Sequence, residues 1–544
     1  MLKRVLAVIL VSLMVLGLFT GCGNTKNTSA EKTPEKSEET EQEKGTTEEK
    51  EKKEVIIALS SDSLSLDPHD YDETVTNAIN LHIFDTLIGY DARLQSTPAL
   101  AEDWELKEDM LTWVFKLRKG VKFHNGNDFT ADDVLYSYDR AKNNEISSNK
   151  SYVANIESMK KIDDYTIELV TPFPYSLLLS DLKNVMIIDK EYTEGMSDEE
   201  IALNPVGTGR YKFVEHVKED HLDLTINEDF WGEKPTIEKV RFRPITNEAT
   251  RTATMLSGEV DFTVDVAVRD VDRLKSSSDI DVIEQPSLRI IYLNLDGWRD
   301  DSPTVQKPNP LKDIRVRKAI YHAIDEDTII KNVMNGQAYA AASYIPDVFV
   351  GHNPKIKRLQ YDPEKAKSLL AEAGYPDGFT ITLDAPNNRY VNDEQIAQSV
   401  ASYLQKVGIK LELNLMPKSL FFKHITTLED KTSFCMTGWA DSGGEGAILL
   451  KDLLYTYGEK EGYGNVNRGY YTNPKLDELI DKAYQTSDID ERAQLVAEAA
   501  QIAADDVAYI PLHFQKDLFA KKKNISYTPR PNKYVFTWDM DIIE

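Results

Sequence analysis

The feature that most constrains the fold is an alternation of helix and strand patterns in the second half of the chain. Asp362 can cap a helix that has Pro363 at its first position and ends at Gly374. The alternation continues with a strand at 379–383, a helix that Asn392 caps and Gly408 ends, a strand at 409–415 and a strand at 433–439. Strand, helix and strand in this order predict a parallel pair with a right-handed crossover, so we expect an α/β protein.

Similar patterns extend over most of the chain. Thr130 precedes two aspartates in a sequence typical of a capping box at the start of a helix. Other elements are predicted as strands at 55–59, 112–117 and 509–512, and as helices that begin at Asn473 and Asp488. A chain of 544 residues is too long for one hydrophobic core, so two or three domains are expected.

Charge and cysteine content exclude two classes of protein. The formal net charge is −27, which argues against nucleic acid as a partner because phosphates require a basic surface. The two cysteines, Cys22 and Cys435, are too few for a disulfide-stabilised scaffold. Cys435 lies between apolar residues and is predicted to be a thiol of the core.

The sequence contains no motif for catalysis or for a resident metal. It lacks a GxxxxGK[ST] phosphate loop, an HExxH zinc motif, a CxxC pair and a GxSxG nucleophile elbow. His216 and His221 are five residues apart, which does not by itself indicate a metal site. We expect no cofactor, no metal and no enzymatic activity, and a secreted hydrolase without a familiar motif stays open as an alternative.

The N-terminus predicts an export signal. After a short basic start, residues 5–19 are almost wholly apolar, which is the length of a secretory signal rather than a membrane span. Gly21 and Cys22 follow and resemble a bacterial lipobox, with Phe19 where Leu is frequent. We therefore expect residues 1–21 to be a lipoprotein signal peptide and Cys22 to be lipidated.

The next segment predicts a tether. Residues 22–53 are rich in Glu, Lys and Thr and nearly free of aliphatic side chains, so they are expected to be disordered. The body of the protein would then be extracytoplasmic and held by lipid at the outer face of the plasma membrane, as in Gram-positive bacteria.

Two opposite charges follow predicted strands of the sheet. Arg389 comes after the strand at 379–383, and Asp441 follows the strand at 433–439 with Gly438 and Trp439 just before it. Ligands of open α/β sheets bind beyond the carboxyl ends of strands. An arginine can hold a carboxylate, an aspartate can accept from an ammonium group, and a tryptophan can form an apolar or cation–π wall. The alternative is that both charges are ordinary solvated surface groups.

Six further segments have a family resemblance that covers nearly all of residues 54–544. They are Leu66-Asp67-Pro68-His69, Phe115-Lys116-Leu117-Arg118-Lys119-Gly120-Val121-Lys122-Phe123-His124-Asn125-Gly126, Pro205-Val206-Gly207-Thr208-Gly209-Arg210-Tyr211, Leu256-Ser257-Gly258-Glu259-Val260-Asp261, Val316-Arg317-Lys318-Ala319-Ile320 and Tyr361-Asp362-Pro363-Glu364-Lys365-Ala366. Together they resemble family 5 of the bacterial extracellular solute-binding proteins, the peptide/nickel-type binding lipoproteins of ABC importers.

The resemblance implies a three-lobed, periplasmic-binding-protein-like fold of type II, cluster C, with two hinged α/β lobes and an inserted smaller lobe. The expected boundaries are 54–97, 205–295 and 515–544 for lobe I, 98–204 for lobe II and 296–514 for lobe III. The Gly207-Thr208-Gly209 segment is then interpreted as part of the fold and not as a phosphate site.

The resemblance also implies a function. Dipeptide-binding relatives hold the ligand's carboxylate with an arginine and its amine with an aspartate, and Arg389 and Asp441 match these positions by local motif. Tyr71 resembles a pocket tyrosine of nickel-binding members. We expect a monomer that captures short peptides between its lobes and delivers them to ABC permease subunits.

The ligand is the open part of this prediction. The family often continues with Asp-Pro after the aspartate, whereas this chain has the glycine-rich segment 442–446. A non-peptide ligand therefore stays open as an alternative, namely an opine, a glutathione-like compound, an oligosaccharide or a nickel or other metal chelate.

Overall fold

The computed structural model describes residues 53–305, 308–426, 431–441, 443–460 and 462–543. The predicted signal peptide 1–21, the lipidation site Cys22 and all but the last residue of the tether 22–53 lie outside these described residues. The chain from Lys52 to Glu544 forms one compact unit. None of the described helices combines the length and the apolar character that a membrane span requires.

Strands and helices alternate through the described part of the chain. The strands are β1 (Glu54–Leu59), β2 (Ile88–Tyr90), β3 (Ser96–Pro98), β4 (Ala101–Leu106), β5 (Thr112–Leu117), β6 (Ser158–Asp163), β7 (Thr166–Val170), β8 (Tyr211–Val217), β9 (His221–Ile226), β10 (Lys239–Pro244), β11 (Phe262–Thr263), β12 (Ile280–Leu295), β13 (Ala338–Ala340), β14 (Thr380–Pro386), β15 (Lys410–Met416), β16 (Phe434–Trp439), β17 (Tyr509–Lys522), β18 (Ile525–Tyr527) and β19 (Met540–Ile542). The α-helices are α1 (Thr74–Ile83), α2 (Ala131–Asn143), α3 (Lys150–Val153), α4 (Leu178–Leu182), α5 (Lys190–Thr193), α6 (Asp198–Leu203), α7 (Glu248–Ser257), α8 (Val271–Lys275), α9 (Ile314–Ala323), α10 (Glu326–Asn332), α11 (Pro363–Glu372), α12 (Asp393–Gln405), α13 (Lys418–His424), α14 (Gly446–Leu454), α15 (Pro474–Gln485) and α16 (Ile489–Asp505).

A mixed sheet of eleven strands organises the molecule. Its order is β15-β14-β16-β12-β17-β11-β1-β10-β9-β8, and β13 pairs with β17. The long strands β12 and β17 pair with each other, while β17 also pairs with β11 and β12 also pairs with β16. These two strands therefore belong to both halves of the sheet, one built around β1 and the other around β14 and β16.

The pairing of the two long strands shifts register at two places, and the first shift lies at the cleft. The register shifts between Pro286 and Ile290, so the three residues between them have no ladder partner on β17. A shift of this kind bends the strand and turns side chains away from regular pairing. It places Ser287, Leu288 and Arg289 at the point where the two halves of the sheet meet.

The predicted βαβ unit is confirmed. β14 and β15 are parallel, from the pair Thr380 and Lys410 onwards, and α12 connects them. The backbones of Gly378 and Gly408 are in close contact where this unit begins. Both glycines have positive φ, and a Cβ atom on Gly378 would lie 1.9 Å from the Gly408 carbonyl oxygen. Only glycine fits such a close approach of two backbones.

The predicted cap of α12 is wrong in its mechanism. Asn392 stands at the N-cap position, but its backbone is left-handed (φ 54°) and its side chain makes no capping bond. Its Nδ2 donates to the Val333 carbonyl at 2.7 Å instead. Asp393 organises the turn, since its Oδ2 accepts from the N–H groups of Arg389 and Tyr390 at 2.8 and 3.0 Å.

A separate four-stranded sheet lies earlier in the chain, in the order β4-β5-β7-β6. Helix α2 begins at the predicted capping box, because Thr130 and Asp133 exchange side-chain and backbone hydrogen bonds. Phe115, Ile167 and Val134 are fully buried in the same hydrophobic cluster. This sheet falls inside the segment predicted as lobe II, whose boundaries stay a prediction.

The Gly207-Thr208-Gly209 segment packs against the end of α1. The Gly209 N–H donates to the Ile83 carbonyl at 2.9 Å, and a Cβ atom on Gly207 would lie 2.1 Å from the same oxygen. The two glycines therefore allow a close backbone contact, which supports their interpretation as part of the fold.

Candidate functional site

A cleft of about 1260 Å³ lies where the two halves of the large sheet meet. Its walls come from the start of the chain, from the residues around β11 and β12, from the loops after β14 and β16, and from the C-terminal segment. The register shift of β12 contributes Ser287 and Arg289, and β17 contributes Gln515 and Asp517. Ligand pockets of roughly 300–1,000 Å³ hold drug-sized molecules, so this cleft has room for a peptide of several residues.

Arg389 lies in the cleft wall, in the loop between β14 and α12. Its side chain is exposed, and its guanidinium is 5.3 Å from the ring centroid of Tyr390 and 6.0 Å from that of Phe422. No carboxylate of the described residues forms an ion pair with it within 4.0 Å. The guanidinium is therefore held beside aromatic rings and is available to an anion.

Asp441 lines the same cleft, two residues beyond β16. Its Oδ2 accepts from the Gly443 N–H at 2.8 Å, and no cation of the described residues lies within 4.0 Å of it. Burial raises the pKa of this carboxyl to about 6, the Gly443 bond opposes the rise, and Asp452 adds to it. A carboxylate in this position gains from a ligand cation because no cation of the described residues pairs with it directly.

Lys183 is the cation that acts on Asp441 from a distance. Its ammonium group donates to the carbonyl oxygens of Leu94 and Gly443, at 2.9 and 3.0 Å. Burial lowers the pKa of Lys183, and nearby carboxylates oppose this effect. Lys183 therefore holds the loop that carries Asp441 and does not pair with the carboxylate directly.

A second pair of carboxylates extends the acidic side of the cleft. Asp72 and Glu73 line it, and neither forms an ion pair within 4.0 Å in the described part of the chain. Asp72 accepts from the Tyr152 hydroxyl at 2.8 Å. Burial raises the pKa of Tyr152, and Asp72 and, more weakly, Asp441 raise it further, so both carboxylates lie near this phenol.

Other charges of the cleft are already paired. Arg269 contacts Glu248 at 2.8 Å, and Lys533 contacts Asp265. Burial alone would lower the pKa of Lys533, but Asp265 and Asp517 raise it above its ordinary value. The charges left without an ion pair thus include Asp441 on the acidic side and Arg389 on the basic side.

The remaining predicted site residues lie outside the lining of this cleft. Tyr71 is 44% exposed next to Asp72. Trp439 is half-buried against a hydrophobic cluster, and its Nε1 is buried without a hydrogen-bond partner in the described chain. Gly438 packs below Tyr390, whose hydroxyl donates to its carbonyl oxygen at 3.1 Å. A direct ligand contact by Tyr71, Trp439 or Gly438 stays a prediction.

The cleft residues that were not predicted from the sequence lie on the long strands β12 and β17. Arg289 interrupts the apolar run from Leu288 to Tyr292, and a charge inside such a run was the available signal. Gln515 and Asp517 lie in the part of β17 beyond residue 512, where the predicted strand ended. Their position in the cleft depends on pairing between segments more than two hundred residues apart.

Neither histidine nor cysteine is present among the described residues that line the cleft. Cys435 is buried in β16, and burial raises the pKa of its thiol to about 12. A nucleophile with that pKa is protonated at neutral pH, so Cys435 is a core residue, as predicted.

One group of described residues has the spacing of metal ligands. Ligand atoms of Glu215, His221 and Asp223 lie within 4.8 Å of one another. Arg241 donates to both carboxylate oxygens of Asp223, at 2.7 and 2.5 Å. A metal ion would have to compete with this guanidinium, and the group does not line the cleft.

Comparison with known proteins gives a consistent result. The family model described as bacterial extracellular solute-binding proteins, family 5, middle region, matches residues 95–461. The dipeptide-binding protein of Escherichia coli is 30% identical over 460 residues, which are 79% of this chain and 83% of that protein. The glutathione-binding protein GsiB of Pectobacterium atrosepticum is 28% identical over 503 residues, which are 90% of this chain and 95% of that protein.

A solved structure has the same architecture. The periplasmic binding protein DppA of Helicobacter pylori, in complex with a peptide, matches with a TM-score of 0.72 and 26% identity. The match covers 90% of this chain and 98% of that chain. The predicted type II binding-protein fold is therefore confirmed.

Proposed function

This chain belongs to the bacterial extracellular solute-binding proteins, family 5, and on that premise we propose that it captures short peptides for an ABC importer. Its family and its relatives are substrate-binding proteins of transport systems and not enzymes.

The observation that carries the proposal is the placement of Arg389 and Asp441 in one cleft. Their charges are opposite, and neither has an ion-pair partner within 4.0 Å in the described chain. A peptide in extended form offers an ammonium group at one end and a carboxylate at the other. Binding it pairs both side chains at once, which lowers the free energy of the complex relative to the unpaired charges.

The proposed mechanism is capture by closure of the lobes. β12 and β17 are the strands shared by both halves of the sheet, and they form part of the cleft floor. Bending of these strands would bring the two walls together around the ligand. Contacts made only in the closed state favour that state, and the closed form is the one that permease subunits are proposed to recognise.

The proposal includes a lipid anchor. The signal-like segment and the Gly21-Cys22 pair support lipidation of Cys22 and retention at the outer face of a Gram-positive plasma membrane. A monomer would be the working form. Replacement of Cys22 by serine is expected to move the protein from the detergent phase to the aqueous phase in a Triton X-114 partition, and unchanged partition would contradict the anchor.

Glutathione is the second candidate ligand, favoured by the name of the GsiB relative. It is a modified tripeptide with an ammonium group and carboxylates, so the same two charged residues can serve it. Opines, oligosaccharides and nickel or other metal chelates remain alternatives from the sequence. Titration of glutathione and of tri-alanine under identical conditions separates the first two candidates.

Isothermal titration calorimetry tests the proposal. Arg389→Met and Asp441→Asn are each expected to weaken tri-alanine binding by about 2–5 kcal/mol, because each leaves a ligand charge unpaired. Glu248→Gln is the matched control, since Glu248 lines the same cleft but pairs with Arg269 at 2.8 Å. Losses below about 0.5 kcal/mol in both test variants would show that the site is placed wrongly.

A further inference from the structure

A second arginine lies beside Arg389 at the basic end of the cleft. Arg289 comes from the stretch of β12 that has no ladder partner, and its guanidinium is 6.0 Å from the ring centroid of Tyr390. The guanidinium of Arg389 is 5.3 Å from the same centroid. Two guanidinium groups therefore share one aromatic ring at this end of the cleft.

Both guanidinium groups lack a direct charge partner in the described part of the chain. Neither Arg289 nor Arg389 has an ion pair within 4.0 Å among the described residues, and their side chains make no hydrogen bond there. Burial lowers the pKa of Arg289, and the positive charge of Arg389 lowers it further. Two like charges in a partly desolvated cleft repel each other, and a bound anion removes this repulsion.

Asp517 is the carboxylate that acts on Arg289 from the protein. It lies beyond ion-pair distance from Arg289 and is 3.7 Å from the ammonium group of Lys533. Asp517 therefore interacts more closely with Lys533 than with Arg289. Its own pKa is raised, chiefly by burial. The carboxylates of the cleft wall leave the two arginines with free hydrogen-bond donors.

An amide next to Arg289 adds a further donor. Gln515 lies on β17 opposite the register shift, between residues that pair with Pro286 and Ile290. Its side chain lines the cleft and is 6% exposed, and its Nε2 is buried without a hydrogen-bond partner in the described chain. A buried donor without an acceptor costs free energy unless a ligand or water supplies one.

One arginine is enough to hold one carboxylate through two hydrogen bonds. We propose that the basic end of the cleft takes two carboxylates, so that the protein selects peptides whose C-terminal residue is aspartate or glutamate. Arg389 binds the α-carboxylate, while Arg289 and Gln515 bind the side-chain carboxylate. This inference rests on the proposed peptide function and names the class of peptide.

Calorimetry with two matched peptides tests it. Ala-Ala-Asp and Ala-Ala-Asn have the same shape and differ by one charge, and both keep free termini. The aspartate peptide is expected to bind at least about tenfold more tightly, because it adds a charge-assisted contact. Arg289→Met is expected to remove this preference, so that the two peptides bind with equal affinity.

Two further variants make the result specific. Arg289→Lys keeps the positive charge but loses the planar guanidinium, so it is expected to keep only part of the preference for Ala-Ala-Asp. This variant tests the inference if Arg289→Met folds poorly. Arg269→Met is the control, because the Arg269 guanidinium is occupied by Glu248 and its loss is expected to leave the preference unchanged.

The outcomes separate this inference from the proposed function. Equal affinity of the wild-type protein for both peptides, or a preference that persists in Arg289→Met, overturns the two-carboxylate inference and leaves peptide binding intact. Failure of both peptides to bind overturns the peptide proposal and this inference with it.

Discussion

Acidification is expected to weaken peptide binding because it protonates Asp441. The pKa of this carboxyl is about 6 in the ligand-free protein, mainly as a result of burial. The carboxylate accepts a ligand ammonium group only when it is ionised. The peptide ammonium group and α-carboxylate keep their charges between pH 5 and pH 7, with pKa values of about 8 and about 3.5. Asp441, which the proposal places at the ligand ammonium group, therefore titrates in this pH range while the ligand does not.

The size of the effect follows from the pKa. For a pKa of about 6, the ionised fraction falls from about 90% at pH 7 to about 10% at pH 5. The apparent Kd is thus expected to rise about tenfold, which corresponds to about 1.4 kcal/mol. The loss is present below pH 6 and absent above pH 7.

Calorimetric titration of tri-alanine at several pH values measures this directly. Asp441→Asn is expected to bind weakly with a flat pH profile. Asp85→Asn is the matched control, because burial also raises the pKa of Asp85, whose Oδ2 accepts from the Trp231 indole N–H at 2.8 Å. The control should keep the pH dependence. A wild-type Kd that does not change between pH 7 and pH 5, or an equal loss in Asp441→Asn, would contradict the role of Asp441.

The same pKa has a consequence for stability. A carboxyl whose pKa is raised by folding binds its proton more tightly in the folded state, so its contribution to stability falls as the pH rises from about 4 to about 6. Asp441→Asn is therefore expected to stabilise the ligand-free protein at pH 7 by up to about 3 kcal/mol. In urea unfolding, this difference from the wild type should vanish below about pH 4.

Two further predictions concern the fold. Gly378→Ala is expected to reduce the free energy of unfolding by at least about 2 kcal/mol more than Gly374→Ala, as measured in urea. Both glycines have positive φ, but only a Cβ atom on Gly378 meets a backbone, that of Gly408, so equal losses would contradict the close contact. Glu445→Gln is expected to cost about 3–5 kcal/mol because it leaves the charge of Arg492 buried. The two side chains are 10% and 7% exposed and lie 2.9 Å apart, and a loss below about 1 kcal/mol would show that water screens the pair.

Local signals in the sequence were sufficient for the βαβ unit and for the helix α11 that precedes it. The proline after Asp362 and the glycine at 408 set helix ends through backbone geometry, which depends on neighbours in the chain. Arg389 and Asp441 were brought to one cleft by a general property of α/β sheets, since both follow strands at the same edge.

Long-range pairing accounts for what the sequence did not predict. Arg289 reaches the cleft because β12 changes register against β17, and a register is set by contacts between distant segments. Asn392 does not cap α12 because its amide finds a carbonyl outside the helix, which no local pattern records. Trp439 packs against a core cluster and does not line the cleft. Its position depends on the neighbouring elements, which a local sequence pattern does not show.

Native mass spectrometry of the protein purified from cells grown in rich medium tests peptide capture most directly. A binding protein that closes around its ligand retains it during purification, so additional masses report the ligand class. Masses of short peptides are expected, and they should disappear in a double variant with Arg389→Met and Asp441→Asn. A single non-peptide mass, such as a sugar or a metal chelate, or peptide masses that persist in the double variant, would contradict capture of a peptide by its two charged ends.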